Sequence, residues 1–263
     1  MGEIVPIDPI DISTTKKILE QMSSCICKIK ASNEESGTGF FCKVNSMNFL
    51  MTCYHIMDEK YLKENKELNL SLNNEKELIK IDLGIKRVIY CKIEYNSTFI
   101  ELKEEDKIKN YLELDDNLFK DDEYIANNFQ KFHPVYVLQY LHEEGINVSY
   151  GCIDDINGQD IPHICKTKNG SAGSPILNLT NNKVIGIHKE EAKDDSNFYG
   201  GYGTLLKYPL IDFRRKGYKI IKELGTDGFG KVNQVFSKLD NKYFAMKEIL
   251  LQGATEDIEK MIH

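Results

Sequence analysis

Between residues 22 and 213 the chain is a succession of short apolar runs separated by glycine- and asparagine-rich turns. "GTGFFCKV" and "NFLMTCYHI" are joined by "NSMN", and "LIKIDLGIKRVIYCKIEY", "STFIELK", "VYVLQYL", "INVSYGCI", "KVIGIHKE" and "GGYGTLLKY" follow. Runs this short, punctuated this way, predict strands, and many in succession predict an all-β sandwich or barrel architecture. A helix-period pattern is scarce between residues 25 and 210. Upstream, "ISTTKKILEQM" at residues 12–22 predicts a short helix capped by Ser13 or Thr14. "KYLKENKELNLSLNNEKELIK" reads as a solvated Lys/Asn/Glu face or loop.

At 263 residues, 41% hydrophobic and 29% charged, the chain can build a packed core, and disorder is not its default. The tail has a different pattern. "YKIIKELGTDGFGKVNQVFSKLDNKYFAMKEILL" predicts a self-contained three-strand meander, and "ATEDIEKMIH" the start of a helix. A boundary at "FRRKG", residues 213–217, divides the chain into an N-terminal segment (1–21), a β domain (22–213) and a tail (218–263). The net charge of −7 argues against a general nucleic-acid surface. No run is apolar and long enough to cross a membrane. The opening "MGEIVPIDPIDISTTKK" lacks a secretory signal, and Ile7 lies where myristoylation wants a small hydroxyl residue nearby. Seven cysteines without a tight framework then predict reduced thiols and a cytoplasmic location, with Cys25 and Cys27 in the core. No Cys/His cluster has zinc spacing, so neither a metal nor another cofactor is expected for the β domain.

Peptide cleavage by a nucleophile needs a base, a carboxylate to orient it, and main-chain donors for the oxyanion, drawn from distant segments. Several such segments stand here in order. "GTGFFCKVNSMNFLMTCYHI" ends in His55, "NSTFIEL" begins at Asn96, and "NGSAGSPILN" and "VIGIHKE" follow. Together they resemble the chymotrypsin-like serine proteases over residues 22–213. That resemblance implies two six-stranded β-barrels meeting at a cleft. His55 matches the family's catalytic histidine and Asn96 its aspartate position. Ala172 stands in the nucleophile's place within Gly170-Ser171-Ala172-Gly173-Ser174-Pro175. The amides of Gly170 and Ala172 would form the oxyanion hole.

The loop and the Gly-Ile-His strand are similar to the glutamyl endopeptidase branch. By that resemblance, His188 as an imidazolium and Thr167 would hold an acidic side chain of a peptide or protein ligand. The departures at Ala172 and Asn96 imply a chain that does not cleave as written. Asparagine for the triad aspartate alone costs roughly 10⁴-fold in turnover. Ala172 fits either a laboratory Ser→Ala change or natural loss, and Asn96 favours the latter. The readings are therefore an inactive peptide-binding or regulatory domain, or, in an unmutated form, a serine endopeptidase cleaving after acidic residues.

In the tail, "ELGTDGFGKVNQVFSKLDNKYFAMKEI" resembles the first strands of a protein kinase, whose glycine-rich hairpin and spaced lysine contact ATP. Gly225, Gly230 and Val232 match the hairpin, and Ala245 and Lys247 the lysine strand. Asp227 stands where the second glycine is expected. The catalytic loop and metal-binding segment that phosphoryl transfer needs do not occur in these residues. The tail therefore reads as an ATP-binding fragment at most, the front of a protease–kinase fusion.

Overall fold

The computed structural model describes residues 9–30, 36–142, 144–154, 156, 158–192, 200–227, 230–237 and 239–249. The chain divides into two units, Met1–Pro209 and Leu210–His263.

The first unit carries two sheets. In the first, β1 (Ile26–Lys30), β2 (Ser36–Val44), β3 (Met47–Thr52), β4 (Glu67–Leu72), β5 (Glu77–Asp82), β6 (Ile89–Lys92) and β7 (Ser97–Leu102) lie in the order β5-β4-β1-β2-β3-β7-β6, and the two-residue β8 (Leu112–Glu113) pairs with β2. The short apolar runs make these strands because they are buried on both faces. Phe40, Phe41 and Cys42, consecutive in β2, are all fully buried, as are Phe49, Leu50 and Met51 in β3. The second sheet has β9 (Pro134–Leu141), β10 (Gly145–Cys152), β11 (Asp160–His163), β12 (Pro175–Asn178), β13 (Lys183–Glu191) and β14 (Gly201–Leu205) in the order β10-β9-β12-β13-β14-β11. Its two edge strands are drawn together by the bridge Ile153↔His163 and by the bonds Asp154 N to Pro162 O (2.9 Å) and Ile164 N to Cys152 O (3.0 Å). This sheet has the six strands expected of a barrel; the first has eight.

Three local expectations change in detail. The lysine- and glutamate-rich run is a solvated face rather than a loop: a short helix, Glu59–Glu64, with no buried residue, followed by the β4–β5 hairpin. Leu68, Leu70 and Leu72, at period two, are buried beneath its charged face. "LIKIDLGIKRVIYCKIEY" splits into β5 and β6 around Gly84. The first helix runs Ile12–Ser24 and is capped by Asp11, whose carboxylate accepts from the amides of Ser13 (2.7 Å) and Thr14 (3.0 Å). A full negative charge at the helix N-terminus suits the exposed amides better than either hydroxyl.

The first sheet is pinned by a buried, bidentate pair, Arg87 Nη1–Asp106 Oδ2 (2.6 Å) and Nη2–Oδ1 (2.7 Å). The two sheets are stitched at Thr38 of β2. Its amide donates to Ala172 O (2.8 Å), its hydroxyl donates to Gly170 O (2.8 Å), and that same oxygen accepts from Tyr140 N (2.9 Å). A helix, Lys207–Lys216, leads into the second unit. There β15 (Tyr218–Asp227), β16 (Gly230–Ser237) and β17 (Lys242–Ile249) form the expected antiparallel meander. The helix expected at residues 254–263 lies outside the described residues. No described helix is long and apolar enough to cross a membrane.

Candidate functional site

Strand β3 ends at Thr52, and the chain turns immediately, Ile56 N and Met57 N each donating to Cys53 O at 3.2 Å. That turn lifts His55 onto the surface. Asn96 closes the turn between β6 and β7 with φ +44°, a left-handed conformation that asparagine tolerates. Its side chain meets His55 twice. Oδ1 accepts from the His55 main-chain amide at 3.1 Å, and the carboxamide lies on the ring at Nδ1, with Nδ2 at 2.9 Å and Oδ1 at 3.1 Å. Nε2 of His55 meets no described residue. The segments that bring the pair together are those the sequence pointed to. Glu94 is exposed, and its carbonyl accepts from Gln159 Nε2 (3.2 Å).

Facing this pair is the loop Gly170–Pro175, shaped by two glycines. Gly170 has φ +97° and Gly173 φ +89°. A Cβ on Gly173 would lie 2.1 Å from Thr38 O and 2.3 Å from Thr52 Oγ1, so the loop fits only because that position is bare. Gly173 N donates to His188 O (2.9 Å) and His188 N to Ser174 O (2.8 Å), tying the loop to β13. Ser171 N donates to Lys168 O (3.0 Å) and Ser174 N to Ser171 O (3.0 Å). The amides of Gly170 and Ala172 donate to no described residue. Ser171 and Ser174 are buried, 3% and 0% exposed, so neither hydroxyl is offered to the surface beside Ala172.

Behind the loop lies a set of buried polar groups. His188 is 1% exposed, and its Nδ1 is 3.1 Å from Nε2 of His163, itself fully buried. The rings meet edge-on at 5.1 Å. Gly201 leaves room for both: a Cβ there would sit 2.7 Å from His188 Cε1 and 3.1 Å from His163 Cε1. His188 Nε2, His163 Nδ1 and Thr167 Oγ1 are buried without a hydrogen-bond partner. Burial pushes the His188 pKa well below its ordinary value, and the charges of His163 and His55 push the same way. Burial takes His163 down to about 4. Desolvation therefore favours the neutral form of both rings near pH 7, so a charge on His188 would need the acidic ligand group that the resemblance implied. Sequence reasoning missed His163; its only signal was a histidine amid apolar residues in "DIPHIC". Cys53 donates to His188 O at 3.1 Å, and burial raises its thiol to about 12, so it stays protonated and inert.

Residues 168–172 and 188–191 line a cleft of ≈ 560 Å³ beside this set. Beyond Ile187, β12 no longer pairs with β13, and on that side residues 189–191 meet no described strand. Lys168 pairs with Glu144, and Lys189 with Asp160 at 2.5 Å. Glu190 and Glu191 are exposed. Among the described residues no group of His, Cys, Asp and Glu is arranged to hold a metal ion.

In the second unit the register aligns Gly225 with Val232 and Val232 with Lys247 across the three strands. Gly230 faces Ile249, and Ala245 faces Gln234. A Cβ on Gly225 would meet open space, so no close approach demands glycine there.

No protein-family model matches the chain. Solved structures do. The crystal structure of Deg5 matches with a TM-score of 0.54 at 13% identity, over 76% of this chain and 91% of that one. The serine endoprotease from Yersinia pestis matches with a TM-score of 0.54 at 8% identity, over 92% and 98%. The HtrA-type protease AlgW with tripeptide matches with a TM-score of 0.53 at 11% identity, over 84% and 75%. Likeness at this identity speaks for the fold, and the fold is that of the trypsin-like serine proteases.

Proposed function

We propose that the first unit is a protease-fold domain that binds peptides and does not cleave them as written. One observation carries the reading: the main-chain amides of Gly170 and Ala172 donate to no described residue, and the side chain at 172 carries no nucleophilic atom. A peptide laid along residues 189–191 would pair with the open side of β13. Its carbonyl would accept from Gly170 N and Ala172 N, and one side chain would reach His188 Nε2 and Thr167 Oγ1. The AlgW structure, solved with a tripeptide, supports a peptide as the class of ligand.

In a form with serine at 172 and aspartate at 96, His55 would take the serine proton and the aspartate would stabilise the imidazolium. The fold would then be an endopeptidase, and the glutamyl-type reading places an acidic residue in the His188 pocket. The test is cleavage of Glu- and Gln-containing peptides by this chain and by Ala172→Ser/Asn96→Asp, with peptide binding to the unaltered chain followed by fluorescence anisotropy. Cleavage by the restored form alone, together with binding by both, is the expected result. Absence of both activities would reduce the likeness to one of fold.

A second reading concerns the tail. The alignment of Gly225, Val232 and Lys247 across one sheet supports nucleotide binding there. ATP binding weakened by Lys247→Met is the expected outcome, and equal binding by both forms would remove the reading.

A further inference from the structure

The lining of the cleft carries four charged side chains, and they are not balanced. Lys168 and Lys189 are each engaged by a carboxylate outside the lining, Glu144 and Asp160. Glu190 and Glu191 are exposed and have no ion-pair partner among the described residues. A peptide entering the cleft therefore meets two negative charges that no described residue compensates, on the strand segment it would pair with. An acidic pair alone would mean little, but the same lining includes His188, whose Nε2 is 1% exposed as a residue and unpartnered as an atom. A buried donor or acceptor without a partner is costly, and a ligand's polar side chain would satisfy it.

We infer that the cleft selects peptides carrying a lysine or arginine beside the residue that enters the His188 pocket. This rests on the peptide-binding reading above and names its ligand class. Across an antiparallel pair, directly opposed side chains approach to about 5 Å, so a basic side chain on the incoming strand meets Glu190 or Glu191. An acidic one is repelled by them. Exposed pairs are weak singly and are screened by salt, so the effect is a graded preference. It is also one the neutral His163–His188 pair does not oppose, since neither ring brings positive charge to the cleft.

The experiment uses the full chain and three labelled hexapeptide amides, Ala-Ala-Ala-Lys-Lys-Gln, Ala-Ala-Ala-Ala-Ala-Gln and Ala-Ala-Ala-Glu-Glu-Gln, at about 20 mM and about 500 mM salt. At low salt the lysine peptide should bind about tenfold tighter than the glutamate peptide, with the alanine peptide between them, converging at high salt. Glu190→Gln/Glu191→Gln should bind all three alike. Equal binding of the three by the unaltered chain overturns this inference and leaves peptide binding standing. A lysine preference that survives the double substitution overturns it too, because the chain's net charge of −7 would then be its source. No binding of any of the three overturns the inference and the peptide-binding reading together.

Discussion

The two sheets build their parts of the candidate site on opposite principles. On the first-sheet side, His55 is exposed and Asn96 half-buried, both at turns, and they are held to each other by a carboxamide contact of about 3 Å. On the second-sheet wall, His188, His163 and Thr167 are inside the protein, and the loop bearing Ala172 is wedged against Thr38 and Thr52. On the proposed function, the groups for chemistry on the first sheet sit at turns, and the groups for recognition are part of the core.

The comparison is tested hardest by restoring the chemistry. Ala172→Ser with Asn96→Asp should cleave peptides, and Ala172→Ser alone should be slower by roughly 10⁴-fold, since asparagine at the triad position cannot stabilise the imidazolium. Equal rates for the two would show that Asn96 does not orient His55 as its 2.9 Å contact suggests. The second-sheet wall should fail in stability. Gly173→Val forces a branched Cβ into a left-handed backbone, 2.1 Å from a carbonyl oxygen. It should cost about 3 kcal/mol or more in urea unfolding. A loss below about 1 kcal/mol would mean that the loop relaxes and is not wedged.

Much of the first-sheet wall was legible in the sequence, because it is local. A strand ending in "TCYHI" and a turn before "STFIEL" were readable locally, and the resemblance of those segments to a protease family is what pointed to His55 and Asn96. The loop was legible for the same reason: Gly170 and Gly173 are required by backbone conformations that few other residues adopt. The pocket was not. His163 and His188 are 25 residues apart and on strands that flank β14 rather than pair with each other, so they meet only across the bare backbone of Gly201. Their charge state follows from burial, which no motif encodes. The β4–β5 hairpin was missed because lysines and glutamates on its outer face masked three buried leucines at period two.

The buried wall should also respond to acid. His163 is depressed from 6.5 to about 4 by burial. In the unfolded chain it takes up a proton near its ordinary value, so between those two pH values the unfolded state binds more protons than the native state. Stability is then highest above 6.5 and falls as pH drops, by about 1.4 kcal/mol per pH unit for each imidazole so held. About 2 kcal/mol should be lost between pH 6.5 and 5, a window above the range in which carboxylates lowered in the fold, such as Glu75, titrate. His163→Gln should flatten that slope in chemical unfolding followed from pH 7 to 5. A slope unchanged by the substitution would place the titrating group elsewhere. Asn96→Ala supplies the smallest expected effect, within about 0.5 kcal/mol of the unaltered chain and with the same slope. Beyond its own turn, Asn96 holds, among the described residues, only the ring and the main-chain amide of His55, so a larger cost would mean that this side of the site, too, is part of the core.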